Sequence, residues 1–146
     1  MVGVAYALLC VALIACGEDR PEGSGIAVRD AWIREPPPRS PAAGYLTIEN
    51  RSDQSVELVG AETAAAKRTE IHLMEHKDGR MTMRKTESLT IPAEGNVELK
   101  SGGTHLMLMD LRQPLKAGAE VELVLRFGDG TQKRLAMPVR KGGYER

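Results

Sequence analysis

The chain has 146 residues, and Lys+Arg and Asp+Glu balance at 20 each. A chain of this length folds as one domain and buries about two-thirds of its unfolded surface. With zero net charge, one Trp, one Phe and three Tyr, it lacks the basic face and stacking aromatics of a nucleic-acid binder. After the N-terminal apolar run, no stretch of about 20 apolar residues follows that would span a bilayer.

Residues 1–15 read as a targeting segment outside the fold. Val2 to Ala15 is apolar but short for a membrane span, and it ends in Leu13-Ile14-Ala15-Cys16. That ending resembles a bacterial lipobox, in which cleavage leaves Cys16 as the lipid-modified first residue. No Lys or Arg precedes the apolar run, which departs from the usual pattern. Two or more acyl chains anchor stably, whereas a single chain is marginal. Cys10 leaves with the signal and Cys16 carries lipid, so the expected mature domain holds neither thiol nor disulfide. A blue-copper electron-transfer site needs a Cys thiolate and is therefore excluded.

Residues 16–25 form a Gly-rich polar tether, and the domain is expected at 26–140 with a tail at 141–146. Ile26 to Arg34 is the first expected strand, with Trp32 as its core aromatic. Glu35 to Pro41 holds four of the eight Pro and reads as a loop. Tyr45 to Glu49 alternates as a strand and closes in the turn cluster Asn50 to Gln54. Val56 to Ala66 follows; its Ala run lacks the length and periodicity of a helix.

Next come His72-Leu73-Met74-Glu75-His76-Lys77 and Arg80-Met81-Thr82-Met83, joined by the hairpin dipeptide Asp78-Gly79. A two-residue turn pairs Lys77 with Arg80, His76 with Met81, Met74 with Met83 and His72 with Lys85. Ser88 to Ile91 and Asn96 to Lys100 flank a turn at Pro92 to Gly95. Ser101-Gly102-Gly103 leads into Thr104-His105-Leu106-Met107-Leu108-Met109, and glycines there allow a bend and close backbone approach. After the turn Lys116-Ala117-Gly118, Val121 to Phe127 and Gln132 to Val139 form a hairpin around Gly128-Asp129-Gly130. Met137 belongs to the core. Short strands at this spacing predict an all-β antiparallel sandwich or barrel.

Five of the seven Met and all three His fall in the two stretches ending at Met83 and Met109. Period-two alternation gathers His72, Met74, His76, Met81 and Met83 on one hairpin face, and His105, Met107 and Met109 on one face of the later strand. Carboxylate and thiol are left out of this reading. Thioether is a soft neutral donor suited to Cu(I), and imidazole suits copper generally. Zinc sites use Cys, His and carboxylate, and calcium and magnesium want oxygen. A single Met of this kind more often fills a core gap. Clustering on matching faces favours a metal.

The spacings His72-x10-Met83-x21-His105-x-Met107 match the H-x10-M-x21-H-x-M signature. On them the chain resembles the PCu(A)C family of periplasmic copper chaperones. Asp30 to Arg34, Pro36 to Pro38, Gly44 to Asn50, Val97 to Lys100 and Pro114 to Gly118 extend the likeness from about Ile26 to Val139. The resemblance implies a cupredoxin-like Greek-key sandwich or barrel holding one Cu(I) through His72, Met83, His105 and Met107. Met74 and His76 are auxiliary candidates. It further implies a chaperone rather than an enzyme, working in the periplasm; with the lipobox at Cys16 this places the domain lipid-anchored on the periplasmic side of a bacterial membrane. Its implied partner is a copper acceptor, either the CuA-bearing subunit of cytochrome c oxidase or a Sco-type thiol protein. Protons compete with the metal for imidazole lone pairs, so affinity should fall in acid by at most two protons' worth.

Two rivals stay open at this stage: copper buffering without a dedicated acceptor, and a structural lipoprotein whose Met/His faces are packing. Catalysis has no support, since no Ser-His-Asp set, Cys nucleophile or paired carboxylates accompany the His residues.

Overall fold

Strand faces are set locally, and the first strand shows how. In the computed structural model, which describes residues 25–142, β1 spans Ile26–Arg34 and pairs antiparallel with β2, Ala42–Asn50. Its register shifts between Arg29 and Trp32, where Asp30 takes a φ of 53°. The extra residue is a bulge, which reverses the alternation downstream. Ile26 therefore faces the core before the bulge and Ile33 after it. Trp32, expected in the core, is turned outward and lies half-buried against Tyr45, with ring centroids 4.8 Å apart. The buried aromatics are instead Tyr45 and Phe127.

The remaining strands are β3 (Val56–Glu62), β4 (Ala66–Lys77), β5 (Arg80–Thr86), β6 (Leu89–Ile91), β7 (Gly95–Leu99), β8 (His105–Leu111), β9 (Glu120–Phe127) and β10 (Gln132–Arg140). No helix occurs among the described residues, in line with the all-β expectation. One layer runs β5-β4-β8-β2-β1 and the other β10-β9-β3-β6. They join through a short ladder pairing Ile33 with Val139 and Arg34 with Arg140. That ladder is parallel, so the sandwich is antiparallel everywhere except at its seam. β4, β8 and β2 are spatial neighbours far apart in sequence, so this layer is assembled by crossover connections as well as by hairpins.

β6 and β7 flank the Pro92–Gly95 turn yet do not pair with each other: β6 joins β3 while β7 joins β2. Asn50, only 1% exposed, holds that crossing. Its amide donates to the carbonyls of Gln54 and Pro92 and its oxygen accepts from Ser52. Between the layers lie Ile33, Leu46, Ile48, Leu58, Leu106, Leu108, Leu123, Leu125 and Met137.

The loop after β1 is clamped by Glu35. Its carboxylate accepts from the Ala117 N–H at 3.1 Å and from Lys116 Nζ at 3.3 Å, and its own N–H donates to the Arg140 carbonyl. The Ala117 N–H, with Lys116 second, holds this carboxyl below the usual carboxylate range. A depressed folded-state value contributes stability above the unfolded value of about 4.3, and that contribution disappears as pH falls through the lower one. Thermal midpoints measured from pH 7 to pH 3 should therefore fall more steeply for the native chain than for Glu35→Gln. Parallel curves would show that the clamp is electrostatically idle.

Candidate metal centre

The hairpin forms with the register expected from Asp78-Gly79: His76 opposite Met81, Met74 opposite Met83, His72 opposite Lys85. Asp78 and Gly79 both have positive φ, 51° and 73°, as a type I′ turn requires. On its other side β4 pairs with β8, bringing Arg68 opposite Met109, Glu70 opposite Met107 and His72 opposite His105. Met107 also faces Ala43 of β2, whose small side chain leaves room for the thioether. Ile71, Leu106 and Leu108 point the other way and are buried in the core. One face of β4, β5 and β8 thus carries the Met/His set, and on β4 and β8 the opposite face packs into the sandwich.

β8 begins at His105, directly opposite His72. Beyond that pair β4 has only β5 as a partner, so the hairpin leaves the sheet as a two-stranded arm. The candidate centre sits where the arm departs.

The two imidazoles stand edge to face with centroids 5.9 Å apart. A metal–nitrogen bond of about 2 Å places a ring centroid roughly 3 Å from the ion, so this separation fits one ion shared between the rings. His105 is 8% exposed, and its Nδ1 lies 2.8 Å from the Gly103 carbonyl. A carbonyl only accepts, so Nδ1 carries the proton and Nε2 keeps its lone pair. Gly102, at a φ of 77°, supplies the bend that brings this carbonyl under the ring. Nε2 of His72 donates to Glu70 at 2.9 Å, and its buried Nδ1 has no hydrogen-bond partner. An orphaned lone pair on a ring whose far nitrogen is held by a carboxylate is the arrangement of metal-binding histidines.

Glu70 corrects the sequence reading, which left carboxylate out of these faces. It is two residues before His72, and the period-two rule alone puts it on the same face. The N–H of His72 holds its carboxyl below the usual range, with Lys85 and Arg68 assisting against partial burial. Arg68 bridges Glu70 at 3.2 Å and Asp110 at 3.1 Å, which limits how far the carboxylate can swing.

Of the predicted ligands, His72, His105 and Met107 lie together on adjacent strands. Met83 is one pair farther out, diagonal to His72 and 49% exposed. Met74 faces Met83, and His76 is at the tip, its Nδ1 2.9 Å from Sδ of Met81. A wall that sequence reading missed closes the other side: Tyr45 lies 6.5 Å from the His105 ring, and the Arg34 guanidinium stacks over Tyr45 at 5.4 Å. The lipidation candidate Cys16 lies outside the described residues. Among those described, no cluster of three or more His, Cys, Asp or Glu is placed to hold a metal.

Residues 26–139 match the LpqE-like lipoproteins. Lxx21020 of Leifsonia xyli subsp. xyli, named a putative lipoprotein, is 34% identical over 120 residues, covering 82% of this chain and 72% of its own length. The solution structure of the Cu(I) form of DR1885 from Deinococcus radiodurans is 35% identical, with a TM-score of 0.67 over 84% of this chain and 81% of that one. A copper-bound PCuAC domain from PmoF2 superposes with a TM-score of 0.70 at 20% identity, covering 82% and 95% of the two chains, a likeness of fold alone. The chain belongs to the LpqE-like lipoprotein family and is built on the fold of the PCuAC domain.

Proposed function

We propose that this protein is a Cu(I) carrier that holds one ion through His72, His105, Met83 and Met107 and hands it to a copper-accepting protein. The observation that carries the reading is the cross-strand pair His72/His105: each ring has one nitrogen tied off, by Glu70 or by Gly103, and one left free. The sulfur-rich face around them suits a soft monovalent ion better than zinc or calcium. The Cu(I)-bound relative at 35% identity supports the same cargo.

Release follows from ligand charge. All four ligands are neutral, and the nearest anion, Glu70, acts only through the His72 ring. A partner offering thiolates gives Cu(I) anionic ligands and so draws it away. The half-exposed Met83 at the edge of the sheet gives such a partner a point of attack. We assign delivery to the assembly of the CuA centre of cytochrome c oxidase, directly or through a Sco-type thiol protein. The chain works from the periplasmic side of a bacterial membrane, anchored by lipid on Cys16.

Anaerobic Cu(I) titration of the full-length chain against a competing chelator, with X-ray absorption at the copper edge, tests the site. One tight equivalent with mixed nitrogen and sulfur scattering is expected. Binding no tighter than micromolar, about −8 kcal/mol, overturns the carrier. A CuA domain that gains no copper from the loaded chain would return the role to buffering.

A further inference from the structure

The tip of the hairpin has donors that the central site does not use. His76 Nδ1 lies 2.9 Å from Met81 Sδ, across the last pair but one before the turn. His76 is exposed and Met81 is 52% exposed, so neither is explained by core packing. Val59, Met81 and Met83 are the exposed large hydrophobics among the described residues, and two of these three share one face of β5.

The pairs His76/Met81 and Met74/Met83 stack on this face in line with His72. At about 3.3 Å per residue, the tip pair lies about 13 Å from His72, with Met74/Met83 midway. Long side chains reach their diagonal neighbours on a sheet, so Met74 can join the tip pair while Met83 turns inward.

We propose that His76, Met81 and Met74 form a second, weaker Cu(I) site at the hairpin tip, which captures the ion and passes it inward past Met83. The proposal rests on the carrier reading above. In the empty protein the Nδ1 proton of His76 points at the Met81 sulfur; on capture it moves to Nε2 through solvent, and the freed lone pair joins the sulfur on the ion. No net proton and no electron is exchanged. The tip site is weaker because it has three donors rather than four and stands in water on an arm without a second neighbour. A captured ion is already tethered beside the central ligands, and that local concentration speeds loading.

The test uses the full-length chain and Cu(I) alone as probe, with methionine-methyl NMR under anaerobic conditions. In His72→Asn/His105→Asn, the Met81 and Met74 methyl resonances should shift as one weak equivalent binds. In Met81→Leu, which keeps the side-chain volume, that weak equivalent should vanish while the tight one persists, and loading from a chelator should slow by about tenfold. Unshifted Met81 methyl resonances in the double variant, or loading of Met81→Leu at the native rate, would overturn the tip site. Failure of the carrier reading looks different: the native chain would then lack the tight equivalent, whatever the tip resonances do.

Discussion

His105→Asn is expected to lower Cu(I) affinity by well over 100-fold, whereas Glu70→Ala should lower it by about 10- to 100-fold, the usual effect of losing a group that only orients a ligand. On the proposed assignment His105 gives its one free nitrogen directly to the ion, and it is held in place by the Gly103 carbonyl and the Tyr45 wall. Glu70 acts at one remove, by fixing which nitrogen of His72 is free. The fold should tolerate both changes, since the two side chains lie on the face away from the core; losing the neutral bond from His105 to Gly103 costs about 1 kcal/mol, and losing the charge-assisted bond from His72 to Glu70 about 1.5–3 kcal/mol. Met83→Leu and Met107→Leu should follow His105, and Met74→Leu and Met81→Leu should alter the first equivalent only mildly. Competition titration of each variant measures the series. Equal losses at all four methionines, or a His105→Asn chain that binds like the native one, would refute the four-ligand assignment.

The part of this site that alternation and turn chemistry encode was legible beforehand. Asp78-Gly79 fixes a type I′ turn, and a two-residue turn leaves one register, so every cross-strand pair of the hairpin followed from it. Opposite faces for His105 and Leu106 followed from period two alone. Trp32 was misplaced because a single residue, Asp30 at positive φ, inserts a bulge that no alternation pattern announces. Glu70 was visible in principle, two residues from His72 on the same face, but a search for metal ligands passes over residues that serve a ligand. The β1–β10 seam and the divergence of β6 from β7 depend on contacts between distant segments, which local propensity does not carry.

Leu106→Ala should destabilise the metal-free protein by about 2–5 kcal/mol and lower its melting temperature by roughly 10 °C, yet leave the Cu(I) affinity of the folded protein unchanged. Leu106 is fully buried, paired with Ile71 and Gly44, and sits on β8 between His105 and Met107 but on the other face. Its removal leaves a cavity between the layers while the backbone ladder that positions the ligands keeps both neighbours. Binding to the folded state alone stabilises by mass action, about 4 kcal/mol when free ligand is 1,000 times the dissociation constant. Native and Leu106→Ala chains should therefore gain the same stability from the same free Cu(I), measured by denaturant midpoints with buffered metal. Equal increments mean that the sandwich presents a site already formed, with stability on one face of β8 and binding on the other. A smaller increment in the variant would mean that copper helps assemble the strand it binds, and that the His72/His105 pair owes its geometry to the core beneath it.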